Sequence, residues 1–266
     1  MLILSNLKWK FLSILQSMVA SYIYEIEYGR VRVTRKGGIG FLKRVARRST
    51  PEEWFLTSLD LKGRTVYDIG GYIGLLTIVF AKVTGPRGQV IVFEPNEENC
   101  SKIEEHIRLN QVHNVKLLRL GIGDTKKENQ IFIVRRNRGA TGSMDENIQS
   151  QIIGEGNFKQ LQINVDTLDG AIATHGLPKP DFIKIDIEGM EYKALLGMSQ
   201  TINNHSPRLY IEIHGADELS KRGNICRIAE LMQSWGYSMW HMETRRDITI
   251  TNCSTAKEGH IFCKRP

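Results

Sequence analysis

Residues 66–94 read VYDIGGYIGLLTIVFAKVTGPRGQVIVFE. Residues 66–69 form a short apolar strand carrying Asp68, after which Gly70, Gly71 and Gly74 let the backbone turn sharply and approach a ligand closely. A helix is predicted over 73–83, its amide-rich N-terminus suited to an anionic group such as a carboxylate. Residues 89–93 read as a buried strand. Glu94 follows it, twenty positions after Gly74, a separation that suits an acid accepting hydrogen bonds from both hydroxyls of a ribose. Strand, glycine turn, helix, strand and acid make a nucleoside-binding half-site. The dinucleotide fingerprint G-x-G-x-x-G does not fit, because counted from Gly70 its second and third glycines fall on Tyr72 and Leu75.

Strand and helix alternate on either side. Upstream, Ser49-Thr50-Pro51-Glu52-Glu53 is a helix start, with a capping hydroxyl, a first-turn proline and acids against the dipole, and the helix runs 51–59. Downstream, helices are predicted over 97–110, to His175 after a cap at Asp166, and over 190–197 and 225–235. Strands are predicted over 115–120, 130–135, 161–165, 182–187 and 208–214, with 237–242 and 260–264 closing the chain as an antiparallel pair. The polar, glycine-rich stretch 136–156 reads as a mobile loop or lid near the substrate, within a variable insertion spanning 125–160. The alternation predicts a mostly parallel sheet with helices on both faces. It makes residues 51–266 one domain and residues 1–50 an extension.

That extension carries the charge. The chain's net charge is +7, and residues 1–51 alone hold ten lysines and arginines against Glu25 and Glu27, so the remainder is nearly neutral. Residues 1–24 place Leu7, Phe11, Ile14, Leu15, Met18 and Tyr22 at helical spacing, an amphipathic helix too short and too wet to span a bilayer. Residues 24–35 alternate around Gly29 as a small hairpin. Two uses of residues 1–48 stay open: a helix packed as a lid on the core with a solvated charged face, or peripheral contact with an anionic membrane surface or polyanion. No small-residue cleavage site follows the helix. Cys100, Cys226, Cys253 and Cys263 form neither a C-x-x-C pair nor a zinc spacing, so a reduced, cytoplasmic setting is the simplest reading.

Residues 181–197, DFIKIDIEGMEYKALLG, hold a second constellation. Asp186 and Glu188 are two apart at a strand end and would share a face, and Glu212 and His214 repeat that spacing after the next strand. If the strands are neighbours, three carboxylates and an imidazole converge at the carboxyl edge where such sheets bind ligands. Lys184, in mid-strand, needs Asp186 or Glu212 as a partner. The group could be a satisfied ion-pair network. Acids at two adjacent carboxyl ends exceed what packing requires, and the preferred reading is deprotonation of a hydroxyl by His214 as general base, oriented by Glu212; a divalent metal on Asp186, Glu188 and Glu212 that lowers the hydroxyl's pKa stays open.

The turn D-x-G-x-x-x-G, from Asp68 to Gly74, is that of class I S-adenosylmethionine (SAM) methyltransferases. From 66 to 214 the chain resembles the FkbM family of SAM-dependent methyltransferases through VYDIGGYIG, VFEPN, LGIGD, VDTLD, IKIDIEGMEYKALLG and YIEIH, in order. The resemblance implies a Rossmann-like class I methyltransferase fold with a seven-stranded sheet and SAM as cofactor. It also implies O-methylation of a hydroxyl on a sugar, glycan or similar small-molecule metabolite. By position it makes Asp68, Gly70, Gly71, Tyr72 and Gly74 the methionine-side turn, Glu94 the ribose acid and Asp124 the acid near the adenine amine. Asp186 takes the end of the fourth strand. One departure is that Gly71-Tyr72 stand where the family's turn usually has Ala-Asn, which removes a side-chain amide. RNA methylation is the rival activity suggested by the basic extension. Against it, the fourth strand ends in D-I-E-G, without the N/D-P-P-Y/F signature of base-amine methylation and without a cysteine for attack on a pyrimidine. A non-catalytic SAM-binding module is the rival of another class.

Overall fold

The structure is a computed structural model. It describes residues 50–135, 141–256 and 258–266 with their side chains, and the backbone of two strands nearer the N-terminus. Those strands, β1 (Ser21–Ile26) and β2 (Gly29–Thr34), pair antiparallel from Ser21↔Thr34 to Ile26↔Gly29, which is the expected hairpin. The helix predicted over 1–24 is corrected at its end: residues 21–24 belong to β1, where aromatic and β-branched side chains favour an extended chain. Residues 1–20 and 35–49, with most of the basic stretch and the question of membrane contact, lie outside the described residues.

Helix α1 (Pro51–Ser58) starts at a capping box in which Thr50 Oγ1 accepts from the Glu53 amide and Glu53 accepts from the Thr50 amide. Then come β3 (Thr65–Ile69), α2 (Leu75–Thr84), β4 (Gln89–Phe93), α3 (Glu97–Asn110) and β5 (Val115–Leu118). After a small second sheet the chain returns as β10 (Phe182–Ile185), α6 (Glu191–Leu196), α7 (Ser199–His205), β11 (Arg208–Ile213) and α8 (Glu218–Ser234). It ends in β12 (Ser238–His241), β13 (Arg246–Ile248) and β14 (Gly259–Lys264). The main sheet has the order β13-β12-β14-β11-β10-β3-β4-β5. The five strands from β11 to β5 are parallel, and β14, β12 and β13 attach antiparallel. The short edge strand β13 makes eight strands where seven are expected.

Because β3 leads outward through β4 to β5 while β10 lies on its other side, the strand order reverses between β3 and β10. Ligands of open α/β sheets bind beyond the carboxyl ends at such a point. The parallel strands are buried on both faces. Tyr67, Ile69, Ile91, Phe93, Ile183 and Ile211 pack toward α6 and α8, and Val66, Val90, Phe182 and Tyr210 toward α1 and α2.

The second sheet, of order β6-β9-β7-β8, comprises β6 (Gly121–Ile122), β7 (Lys127–Arg135), β8 (Gly142–Ser143) and β9 (Phe158–Asp166). Its presence corrects the described part of the loop expected over 136–156: Gly142–Ser143 is β8 and Glu146–Gly154 is helix α4. Asp145 caps α4 by accepting from the Asn147 and Ile148 amides, and Ile148 and Ile152, one turn apart, bury against Ile133. Only two apolar positions face inward, so the polar remainder conceals the period.

Two helix starts also differ from expectation, and one helix is added. Helix α5 (Leu168–His175) is capped by Thr167, whose Oγ1 accepts from the Gly170 amide; Asp166 instead accepts from the Thr167 amide. Helix α8 begins at a capping box of Asp217 and Ser220, two turns before 225, and α7 is an addition. A disulfide joins Cys226 on α8 to Cys253, which corrects the picture of a fully reduced set; Cys100 and Cys263 are free and buried. Among the described residues no helix is long and apolar enough to cross a membrane.

Candidate active site

At the strand reversal, β3 runs into a turn that only glycine can make. Gly70 has φ +85°, and a Cβ there would lie 1.8 Å from the carbonyl oxygen of Asp186; one on Gly71 would lie 2.2 Å from Val92. Gly74, at φ +84°, packs on Ile103 and begins α2. Tyr72 stands between them at φ +51°, unusual for a residue with a Cβ. It is held by Glu94, whose Oε2 accepts the Tyr72 amide at 2.9 Å.

A cavity of about 710 Å³, counting its open mouth, lies against this turn. Its apolar wall includes Phe93, Leu120, Ile122, Phe132 and Ile187, and its acids are Glu94, Asp186 and Glu188. Thr141, Gly142 and Met144 close one side, and Ser143 ties that side down by donating from Oγ to the Glu188 carbonyl at 2.6 Å. Of the segment expected to be a lid, residues 141, 142 and 144 thus form part of the cavity wall, and residues 136–140 lie outside the described residues.

Glu94 is 4% exposed, and burial pushes its pKa up to about 7. Hydrogen bonds from the Asn96 amide, Asn99 Nδ2 and the Tyr72 amide offset only part of that cost. A carboxylate can take about four donors, so this one has acceptor capacity left for a diol facing it from the cavity.

The register of β10 sets Lys184 beside Asp68. Its Nζ lies 3.0 Å from Asp186 Oδ2, 3.4 Å from Asp68 Oδ1 and 3.1 Å from the Gly70 carbonyl, so one buried ammonium braces the glycine turn. Burial works against this charge, but Asp186 and Asp68 outweigh it and hold the lysine above its ordinary pKa. Its partners are thus Asp186 and Asp68 rather than Glu212. Asp68 also accepts from Thr77 Oγ1 at 2.6 Å and is fully buried beneath the turn, off the cavity wall. Asp124 likewise does not line the cavity; it follows β6 and accepts from Thr125.

Strands β10 and β11 are neighbours, as convergence requires. His214 Nε2 lies 3.5 Å from Glu212 Oε1 and 3.8 Å from Asp186 Oδ1. Its Nδ1 donates to Glu191 Oε1 at 2.9 Å. Glu191 is fully buried and also accepts from the Gly189 amide and Asn224 Nδ2. The orienting carboxylate is thus Glu191, which corrects the role expected of Glu212. Burial opposes protonation of His214, but Glu191 and Glu212 outweigh it and push its pKa up to about 11. These carboxylates favour the protonated ring, which works against the general-base role expected of His214. Glu212 is buried too, yet the neighbouring His214 and His260 rings hold it well below the usual carboxylate range. Asp186 is shifted upward by burial, with Lys184 opposing.

The metal-ligand set also changes. Among the described residues, the side chains whose ligand atoms lie within 4.8 Å of one another are Asp186, Glu212 and His214. Glu188 stands apart because β10 ends at Ile185, so strand alternation no longer governs residue 188, which sits in a turn at φ +53° and lines the cavity. Glu191 and His260 are absent from the sequence-derived set. Glu191 had a signal, since IEGME carries two acids, but the second reads as an ordinary first-turn helix acid. His260 had none.

The residues of the cavity fit SAM: apolar walls with two phenylalanines would suit its base, Glu94 has acceptor capacity for a ribose, and the acids Asp186 and Glu188 suit a cationic sulfonium. Comparison with known proteins agrees. AMB antimetabolite synthetase AmbE of Pseudomonas aeruginosa is 22% identical over 232 residues, covering 73% of this chain and 10% of AmbE. The chain thus spans about a tenth of that curated relative's length. The solved structure of methyltransferase FkbM from Methylobacillus flagellatus is 18% identical with a TM-score of 0.51, covering 82% of this chain and 51% of that one. The O-methyltransferase from Bacillus cereus, solved in complex with SAH, is 16% identical with a TM-score of 0.50, covering 85% and 86%. These two likenesses establish the fold. Residues 68–239 match the family model described as the methyltransferase FkbM domain, and the chain therefore belongs to the FkbM family of SAM-dependent methyltransferases.

Proposed function

We propose that the protein is an O-methyltransferase acting on a hydroxyl of a sugar, glycan or other small metabolite. When bound, SAM supplies an electrophilic methyl group, released as its sulfur–carbon bond gives way to the new carbon–oxygen bond. Glu94 accepts from the ribose diol, and the apolar wall excludes water. Asp186, on the cavity wall, receives the hydroxyl's proton. Its raised pKa makes it a stronger acceptor than an ordinary carboxylate, and Lys184 and His214 keep cationic partners beside it. The observation that carries this reading is Asp186, a carboxylate on the cavity wall with its pKa raised by burial, standing where an oxygen nucleophile must lose a proton. None of the four cysteines presents a thiolate for a covalent route: two are bonded, and burial pushes the Cys100 thiol up to about 12 and raises that of Cys263.

The closeness of Asp186, Glu212 and His214 also favours a second way of acidifying the hydroxyl, through a divalent ion. Turnover lost to a chelator and restored by Mg²⁺ would assign the task to an ion. Turnover indifferent to the chelator would leave it with the carboxylates.

The test is incubation of the protein and a cell extract with methyl-labelled SAM, and in parallel with unlabelled SAM, for which mass spectrometry should find a gain of about 14 Da, one CH₂ per transfer. A labelled product that survives nuclease and yields to glycosidase is expected for a glycan acceptor. A nuclease-sensitive product would redirect the activity to RNA, and binding of SAM without transfer to any component would reduce the protein to a binding module.

A further inference from the structure

Beyond Glu212 lies a second concavity. Glu212 offers Oε1 to His214 and Oε2 to His260 Nε2 at 3.6 Å, and His260 Nε2 is also 3.6 Å from Glu52 Oε1. Glu52 and His260 line a cleft whose walls are aromatic: Phe55 stacks on Trp240 at 5.9 Å and 27°, and Trp54 is 62% exposed. A short row of carboxylates and imidazoles therefore runs from Asp186, in the first cavity, to this cleft. Every described residue lining the cleft falls in 50–55 or 240–260, outside the family-matched segment 68–239, whereas the SAM cavity is lined wholly from within that segment.

We propose that this cleft anchors the methyl acceptor through a neutral, hydroxyl-bearing sugar ring, with the reacting hydroxyl reaching Asp186; this rests on the O-methyltransferase reading above. The exposed indole of Trp54, beside hydrogen-bonding charges, matches a saccharide, whose C–H faces stack while its hydroxyls find donors and acceptors. The lining charges balance. Glu52 and Glu243 stand against Arg245 and His260, and Glu243 is already committed, accepting from His260 Nδ1 at 2.7 Å and from the His260 amide at 2.9 Å. A charged ligand would leave one sign unanswered; a neutral one does not. Placing the cleft on the flanking segments lets the acceptor differ while the family segment keeps its cofactor cavity.

The test is saturation-transfer NMR on the full chain with methyl glucoside, methyl mannoside and methyl rhamnoside as neutral probes, glucuronate as an anionic probe and catechol as a phenolic one. The variant is Trp54→Ala, an exposed position whose loss spares the core. Transfer to at least one neutral glycoside is expected, weakened about tenfold in the variant, while SAM affinity by calorimetry stays within about twofold. No glycoside signal, an equal signal in the variant, or transfer only to glucuronate or catechol would overturn the proposal. Glycoside binding that depends on Trp54 in a protein that binds no SAM would keep the sugar site and sink the methyltransferase reading instead.

Discussion

Replacing Glu191 by glutamine removes one charge from the inner side of His214 while nearly preserving shape. The imidazole Nδ1 and the carboxylate oxygen are 2.9 Å apart, and Glu191 is fully buried. With charge centres ~4 Å apart and an effective dielectric of about 20, the lost attraction is about 4 kcal/mol, equivalent to roughly three pH units. His214 should fall from about 11 to the vicinity of pH 8. Asn224 now donates to Glu191 Oε2 and would oppose a new amide donor there, but its own Oδ1 is buried without a hydrogen-bond partner. A flip of Asn224 accommodates the glutamine, at the expense of its bond to the His214 carbonyl. The assay is an NMR titration of the histidine ring resonances, assigned through His214→Ala, in wild type and variant, with circular dichroism as the check on folding. A wild-type His214 that titrates near 6.5, or a variant midpoint within one pH unit of wild type, would refute the assignment of Glu191 as the group that keeps the ring charged.

Stability should decline as pH rises from 5 to 10. His214, raised in the folded state to about 11, stabilises fully below its unfolded value near 6.5 and loses that contribution as pH climbs toward 11. Glu94, raised to about 7, releases its proton later when folded than when unfolded, so it too costs stability from pH 4.5 to about 7. Denaturation midpoints that rise across this window would contradict both. Glu94→Gln should weaken SAM binding by about tenfold to a hundredfold in calorimetry, with circular dichroism as the check on folding because the new amide would face a donor now bonded to Glu94; unchanged affinity would remove Glu94 from the ribose site. Gly70→Ala should lower stability by about 3 kcal/mol or more, because φ +85° and a carbonyl oxygen 1.8 Å from the new Cβ cannot both be relieved locally. Reduction of Cys226–Cys253, which closes a loop of 27 residues, should cost about 3–4 kcal/mol in denaturant titrations.

The alternating pattern and the glycine turn were legible from local chemistry. Buried parallel strands are short apolar runs, and Gly70 and Gly74 sit where positive φ is obligatory. Thr50 and Glu53 announce a helix start because capping joins groups only three residues apart. Even the pairing of Lys184 with an acid follows from the cost of burying an ammonium. What escaped were features whose partners are remote in the chain and carry no pattern of their own. Helix α4 hides because a polar surface outweighs two inward isoleucines, and Cys226 meets Cys253 only once α8 lies beside the last turn. The protonation of His214 depends on Glu191, whose burial is completed by Asn224 from α8, and the charge of Glu212 depends on His260 from the last strand. Local residue types decide which backbone conformations are cheap. The acid–base state of a side chain is decided by the charges and the solvent left around it after distant segments pack, and no spacing along the chain records that.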